Sequence, residues 1–123
     1  MEFVIDGMNV IGTRPDGWWR DRDAAMARLV DQLERFSAAT GDDVTVVFER
    51  APRPPLRSTV IEITHAPKLG PDAADYEIVR ILQAHPSPTT VHVVTSDNWL
   101  ADAARATGAM IEPSEGFRTR LEE

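Results

Sequence analysis

Short apolar runs alternate with longer segments of helical periodicity along this chain. Five runs have the length and composition of β-strands, and they lie at residues 2–5, 44–48, 59–64, 90–94 and 109–111. The run at 59–64 alternates between apolar and polar residues, which is typical of a strand near the edge of a sheet. About five strands are therefore predicted.

Helices are predicted in the intervening segments. Apolar residues recur at helical spacing between residues 21 and 39, and Gly41 follows as a stop signal. A Gly-Pro-Asp start signal predicts a helix at 70–83, and a Ser-Asp pair caps another helix at 97–107. Residues 114–121 are predicted to form a final helical turn or a tail.

This alternation predicts an α/β protein with three layers, in which helices cover both faces of a mostly parallel central sheet. Right-handed crossovers place the carboxyl end of every strand at the same edge of such a sheet. Ligands bind at that edge. Polar residues that directly follow the strands are therefore the first candidates for function.

Composition narrows the class of protein. The 123 residues are predicted to form one domain over 1–123, and 42% hydrophobic with 27% charged residues is ordinary for a soluble protein. The absence of cysteine excludes disulfides, thiolate metal ligands and a cysteine nucleophile, and it fits a reducing compartment. No apolar run approaches the length of a membrane span and no signal peptide is evident, so we expect a cytoplasmic protein with no membrane partner.

The net charge of −7 arises from 13 Lys and Arg against 20 Asp and Glu. This balance argues against a passive nucleic-acid coat protein, which needs a basic footprint. It does not exclude a nuclease, because bound cations reverse the local sign of clustered carboxylates. Lys68 is the one lysine, so the positive charge is carried almost wholly by arginine, the better bidentate phosphate ligand.

Three acids are expected to meet at the functional edge. Asp6 ends the first strand, Asp75 lies on the core-facing stripe of the second long helix, and Asp97 follows the fourth strand. Asn9 lies near Asp6, and Asp102 lies one turn beyond Asp97. Oxygen ligands of this kind suit Mg²⁺ or Mn²⁺. No zinc-type His pair, phosphate-binding glycine loop or Gly-x-Ser-x-Gly motif is present.

Each of these residues also has a purely structural interpretation. Asp6 could cap backbone N–H groups of a loop, and Asn9 could form a turn instead of positioning a metal-bound water. Asp75 could serve the helix dipole, and Asp97 could be an ordinary N-cap unless the preceding serine takes that role. Asp102 could be an outer metal ligand or a surface acid, and the surface interpretation is slightly favoured.

Cationic and aromatic residues are the candidates for contact with a phosphate-bearing substrate, because single-stranded nucleic acids are held by aromatic stacking beside positive charge. The loop after the first strand, the proline-rich loop after the second and the end of the fourth supply the candidates: Arg14, Trp18, Trp19, Arg20, Arg50, Arg53 and Ser96. Alternatively, at least one of Trp18 and Trp19 packs under the first helix, and the proline-rich loop is simply solvated. Trp99 is expected to pack in the core or against a helix.

Four segments together resemble a known family. They are VIDGMNVIG, RPDGWWRDR, PDAADYEIV and VVTSDNWLAD, in that order along the chain. The chain resembles the NYN domains, close to the YacP-like branch of the PIN-like nuclease superfamily, over nearly its whole length. The resemblance implies a PIN-like α/β/α fold and Mg²⁺- or Mn²⁺-dependent endoribonuclease activity.

The resemblance also implies particular site residues. The family's first acid and its accompanying amide fall on Asp6 and Asn9, and the later acids fall on Asp75, Asp97 and Asp102. Similar members often carry a second acid directly after the helix acid, where this chain has tyrosine. It implies single-stranded RNA as the partner and ribosome association as an expectation. The chain is shorter than many YacP-like proteins and is expected to lack regions that they use for docking.

The sequence thus predicts a metal-dependent endoribonuclease that cleaves single-stranded RNA with metal-activated water. The first alternative is a non-catalytic RNA- or protein-binding PIN-like module, which the tyrosine at position 76 and the net acidity favour. The second alternative is a phosphatase or DNA nuclease that uses the same acids. The sequence leaves the oligomeric state, the RNA target and the choice between Mg²⁺ and Mn²⁺ open.

Overall fold

A computed structural model describes all residues from Met1 to Glu123 and contains one all-parallel sheet of five strands. The strands are β1 (Glu2–Asp6), β2 (Asp43–Phe48), β3 (Glu62–His65), β4 (Val91–Val94) and β5 (Met110–Glu112). Their spatial order is β3-β2-β1-β4-β5. The first strand therefore lies in the centre of the sheet, with two strands on each side of it.

Five helices cover the sheet. They are α1 (Gly7–Ile11), α2 (Arg22–Thr40), α3 (Ala73–Ala84), α4 (Asn98–Ala106) and α5 (Ser114–Glu122). Buried residues of α1, α2 and α5 share one core, and buried residues of α3 and α4 share another on the opposite face. The predicted three-layer α/β/α architecture is confirmed. No helix is both long enough and apolar enough to cross a bilayer.

Successive side chains of β1 point to opposite faces of the sheet and so contribute to both cores. Phe3 belongs to the first core, where its ring lies 5.4 Å from Phe36 and 5.6 Å from Phe117. Val4 belongs to the second core together with Ile78. All but Phe36 are almost completely buried, and each such side chain contributes roughly 1.5–3 kcal/mol. The central strand is therefore rigidly held on both faces, which fixes the position of the residues at its end.

Several element boundaries differ from the sequence prediction. The five-residue helix α1 was not predicted, and β3 begins at Glu62 rather than at residue 59. The final segment is a complete helix, α5, whose Phe117 is buried. The late start of β3 follows from Ser58, whose hydroxyl accepts hydrogen bonds from the N–H groups of Val60 and Ile61 and bends the chain there.

The order of the strands creates a switch point between β1 and β4. From β1 the chain continues to β2 and β3 on one side of it. It then crosses back to β4, which pairs with the other side of β1, and ends the sheet with β5. Asp6 pairs with Val47 of β2 at the carboxyl end of β1, and Ile5 pairs with Val94 of β4. In doubly wound sheets the crevice at such a point is the ligand-binding position.

Candidate active site

A cavity of about 250 Å³ opens at the carboxyl edge of the sheet, beside the switch point. Five of its ten lining residues are acids, one is an arginine and one is an asparagine. The lining residues are Asp6, Met8, Asn9, Trp18, Arg22, Glu49, Asp72, Ala74, Asp75 and Asp97. The three acids predicted from topology therefore meet in one place, together with Asn9 and Trp18.

Asp6 is the most buried acid of this cavity, with 5% of its surface exposed. Its Oδ2 accepts a 2.9 Å hydrogen bond from the hydroxyl of Thr95, which is itself buried. Burial, assisted by the negative charges of Asp75, Asp97 and Glu49, raises the pKa of Asp6 to about 7, although the Thr95 hydrogen bond opposes the rise. Such a carboxylate is poised to accept a cation near neutral pH.

Asp75 reaches the cavity from the first turn of α3. The register of that helix buries Ala74, Ile78 and Leu82 against the sheet, so the neighbouring Asp75 lies over the sheet edge and is also buried. Burial is the main cause that raises the pKa of Asp75 to about 6, and the charge of Asp97 is the next.

Asp97 combines the two roles that the sequence left open. Its Oδ1 accepts a 2.7 Å hydrogen bond from the Leu100 N–H and caps α4, while its side chain also lines the cavity. Its own N–H donates a 3.1 Å hydrogen bond to the Thr95 hydroxyl, the group that donates to Asp6. Thr95 thus fixes the ends of β1 and β4 relative to each other, a role not assigned from the sequence.

Two further acids were not predicted as site residues. Glu49 directly follows β2 just as Asp6 ends β1, so the same topological rule would have found it. Asp72 precedes α3 with a left-handed φ of 59° and makes no side-chain capping bond, which leaves its carboxylate free beside the cavity. Tyr76, which occupies the position of an expected second acid, is 62% exposed. Glu49 and Asp72 supply acidic oxygens in its place.

Asn9 is held by its side-chain oxygen. Its Oδ1 accepts hydrogen bonds from the Ser96 N–H at 2.9 Å and from the hydroxyl of the fully buried Ser114. Since the acceptor is occupied by two donors, the amide Nδ2 is the group that Asn9 offers to the cavity. Asn9 therefore presents a hydrogen-bond donor to the cavity, with its oxygen already used by two donors of the chain.

Trp18 and Arg22 also line the cavity. The Arg22 guanidinium lies 5.1 Å from the centre of a Trp18 ring, and it forms no ion pair with any acid of the chain. Arg22 begins α2 and was not predicted as a site residue. Together they combine an aromatic face with a free positive charge, the kind of pair predicted for the loop after β1.

The other cationic residues predicted to bind substrate lie outside the cavity. Arg14 contacts Glu122 and Thr119 of α5. Arg50 forms a two-pronged ion pair with Asp23, which also accepts a hydrogen bond from the backbone N–H of Arg53. The guanidiniums of Arg14 and Arg50 are therefore paired with residues of α5 and α2, and they hold their loops against these helices.

The remaining candidates also lie elsewhere. Arg20 is exposed, and the half-exposed Trp19 meets Trp18 edge-on with ring centres 5.9 Å apart. The Ser96 hydroxyl accepts from the Ser114 N–H, so this residue ties α5 to the end of β4. Asp102 is exposed and pairs with Arg105, which agrees with the surface interpretation. The cavity lining therefore contains none of the four candidates Trp19, Arg20, Ser96 and Asp102.

The donor set fits a hard divalent cation. All five acids offer oxygen ligands, and the single cation of the cavity, Arg22, is not paired with any of them. No three of these side chains lie close enough together to form a ready metal-binding group. Burial is the main cause of the raised pKa values of Asp6 and Asp75, and the like charges of the neighbouring acids add to it, so a bound cation would relieve part of the cost of ionising them.

This all-parallel fold, with acids gathered at its switch point, is the arrangement expected of a PIN-like nuclease domain. The chain belongs to the YacP-like NYN domain family, whose model matches residues 3–123. Members of that family are nucleases that generally use divalent metals, and the family implies an RNA substrate. A nuclease-type role for this chain follows.

Solved structures agree with the fold. The crystal structure of Rae1 (YacP) from Bacillus subtilis superimposes with a TM-score of 0.81 at 22% identity, covering 99% of this chain and 74% of that one. The structure of a mutant of the same protein gives a TM-score of 0.80 at 24% identity with the same coverage. At these identities the likeness establishes the architecture alone. No curated protein sequence matches the chain.

Proposed function

We propose that this chain is an Mg²⁺- or Mn²⁺-dependent endoribonuclease that hydrolyses single-stranded RNA. One observation carries the proposal: five carboxylates surround a single cavity at the switch point without a paired cation, and the most buried of them has its pKa raised to about 7. An arrangement that costs the folded protein stability at neutral pH is typical of a functional site.

The cavity residues have two proposed roles, cation binding and substrate contact. Asp6, Asp75 and Asp97 would hold the cation, and Glu49 and Asp72 would extend the negative surface around it. A bound divalent ion would polarise the scissile phosphodiester and lower the pKa of the attacking water.

The chain's own donors position the substrate. The Asn9 Nδ2 donates a hydrogen bond to a phosphoryl oxygen, since its Oδ1 is fixed by Ser96 and Ser114. Arg22 contacts a neighbouring phosphate, and the Trp18 ring beside it stacks on a base. Stacking requires an unpaired, accessible base, which favours single-stranded RNA over a duplex.

A cleavage assay tests the proposal. We expect a labelled single-stranded RNA to be cut in Mn²⁺ or Mg²⁺, and Asp6→Asn or Asp97→Asn to abolish the cutting. Asparagine is itself a good N-cap, so Asp97→Asn removes the charge and keeps α4 capped. The matched control is Asp31→Asn on the exposed face of α2, which should cut at the parent rate.

The same assay separates the competing functions. A deoxyribo-oligonucleotide and a simple phosphate ester, tested in parallel, distinguish an RNA nuclease from a DNA nuclease and a phosphatase. Cutting by the parent that persists in excess EDTA would contradict the proposal, as would full activity of Asp6→Asn. RNA binding without turnover in any metal would instead support a non-catalytic module.

A further inference from the structure

Two large aromatic side chains lie exposed on the helices that follow the acids of the cavity, one on α3 and one on α4. Tyr76 is 62% exposed and Trp99 is 51% exposed, and their ring centres lie 5.2 Å apart at an interplanar angle of 65°. Tyr76 directly follows Asp75 in α3, and Trp99 is two residues beyond Asp97 in α4. Of the two expectations for Trp99, packing in the core is wrong, since half of its surface meets solvent, whereas its contact with Tyr76 of α3 agrees with packing against a helix.

Helix register explains why both side chains point outwards. The stripe of α3 that contacts the sheet contains Ala74, Ile78 and Leu82, and the corresponding stripe of α4 contains Leu100 and Ala104. Tyr76 and Trp99 lie outside both stripes and belong to neither hydrophobic core. Each side chain exposes apolar surface to water, and covering that surface would be favourable. The pair is therefore available to bind a ligand.

The surroundings indicate what that ligand is. The nearest cavity residues are acidic, and the whole chain carries a charge of −7, so general attraction to phosphate contributes little here. An aromatic surface binds the uncharged face of a nucleobase without needing a cation. Tyr76 also borders a groove of about 350 Å³ that contains Lys68, which forms no ion pair and is placed to meet a phosphate further along a strand.

We propose that Tyr76 and Trp99 form a stacking platform for a base of single-stranded RNA next to the phosphate held in the cavity. The inference rests on the proposed function and assigns it a substrate track that runs from the acids across the platform towards Lys68. An edge-to-face pair leaves ring surface of both residues available to a base. A stacked base contributes roughly 1–3 kcal/mol.

Binding measurements test the platform separately from cleavage. Each platform substitution is made in the Asp97→Asn protein, and its affinity for a labelled single-stranded oligoribonucleotide is measured by fluorescence anisotropy. We expect Tyr76→Ala and Trp99→Ala each to weaken binding roughly 5- to 150-fold. Tyr76→Phe and Trp99→Phe should stay within about twofold of the parent, since the aromatic face is kept.

Met110→Ala provides the matched control. Met110 is 56% exposed but begins β5, at the opposite edge of the sheet from the cavity. It should bind as the parent does, and melting temperatures of all variants should agree because no core contact is removed. In the cleaving protein the alanine variants should raise KM more than they lower kcat.

The outcomes distinguish this inference from the function on which it rests. Unchanged RNA affinity and KM in Tyr76→Ala and Trp99→Ala, with metal-dependent cutting intact, would overturn the platform alone. An equal loss in Met110→Ala would also overturn it, since the effect would then be general to the surface. A parent protein that neither binds nor cuts RNA would overturn both proposals.

Discussion

A single hydroxyl organises the charged centre of this protein. Thr95 donates to Asp6 and accepts from the Asp97 N–H, so the ends of two adjacent strands share one oxygen. Asn9 forms the second brace, because its Oδ1 joins the end of β4 to the start of α5. Both residues use their side chains to fix backbone groups, and this fixes the positions of the catalytic groups proposed above.

We predict that Asn9→Asp keeps the fold and loses activity. The substituted carboxylate still accepts from Ser96 and Ser114, but it removes the Nδ2 donor and adds a negative charge beside Asp6. The rate of RNA cleavage should fall at least tenfold, which is what the loss of one donor to a transition-state oxygen commonly causes. Single-turnover kinetics measure the rate, and circular dichroism measures the fold.

Asn9→Ala provides the contrast. It leaves the Ser114 hydroxyl buried without its acceptor, so the free energy of unfolding in urea should fall by about 1–3 kcal/mol. If Asn9→Asp cut RNA at the parent rate, the amide would have only the bracing role.

Sequence reasoning could predict the acids but not the partners of the arginines. Asp6, Asp75 and Asp97 come together because strand topology alone dictates which edge they occupy. Arg14 was expected to contact phosphate, yet it contacts residues more than 100 positions away on α5. Such long-range ion pairs depend on how helices dock, which local pattern does not specify.

At the scale of elements, the first turn of α1 lies unusually close to β2. A Cβ placed on Gly7 would lie 2.6 Å from two ring atoms of Phe48 and 3.1 Å from Val46. Phe48 is completely buried, so its ring has no room to retreat. The absence of a side chain at position 7 is therefore what allows the chain to turn from strand to helix directly after Asp6.

We predict that Gly7→Ala destabilises the protein by about 1–3 kcal/mol, since overpacking at a closed contact forces neighbouring groups apart. Cleavage should fall with it, because the displaced backbone carries Asp6. Urea denaturation measures the first effect and the RNA assay the second. Gly116→Ala in α5 is the control, as its Cβ would meet nothing within 4 Å, and it should be neutral or slightly stabilising.

The long elements were predictable and the short ones were not. α2 and the apolar strands carry periodicity over many residues, which local spacing records well. α1 has only five residues within an Asp-Gly-Met-Asn segment that is typical of a loop. Its helical form depends on packing against α2 and α5. Such contacts between distant segments cannot be predicted from the local sequence of α1.

At the scale of the whole molecule, stability should depend on pH in a direction that the cavity determines. The pKa values of Asp6 and Asp75 rise from 3.8 to about 7 and about 6 on folding. The folded chain therefore holds these protons more tightly than the unfolded chain. Their contribution to the free energy of unfolding is largest at low pH and is lost as pH rises from about 4 to about 7.

We predict that Mn²⁺ raises the melting temperature more at pH 8 than at pH 5.5, because protons compete with the metal at the lower pH. Asp6→Asn should raise the melting temperature of the metal-free protein at pH 8 and change it little at pH 4. Scanning calorimetry in EDTA and in Mn²⁺ measures both effects. Equal metal effects at the two pH values would contradict the assignment of these acids.

The central position of β1 has a consequence for dividing the molecule. Asp6 and Glu49 precede the exposed loop at residues 67–71, whereas Asp75 and Asp97 follow it. A break in that loop would yield two pieces, each with an incomplete set of ligands. The proposed RNA cleavage would then return only when the two pieces associate through the β1–β4 ladder. Recovery of cleavage would therefore report the association of the two fragments.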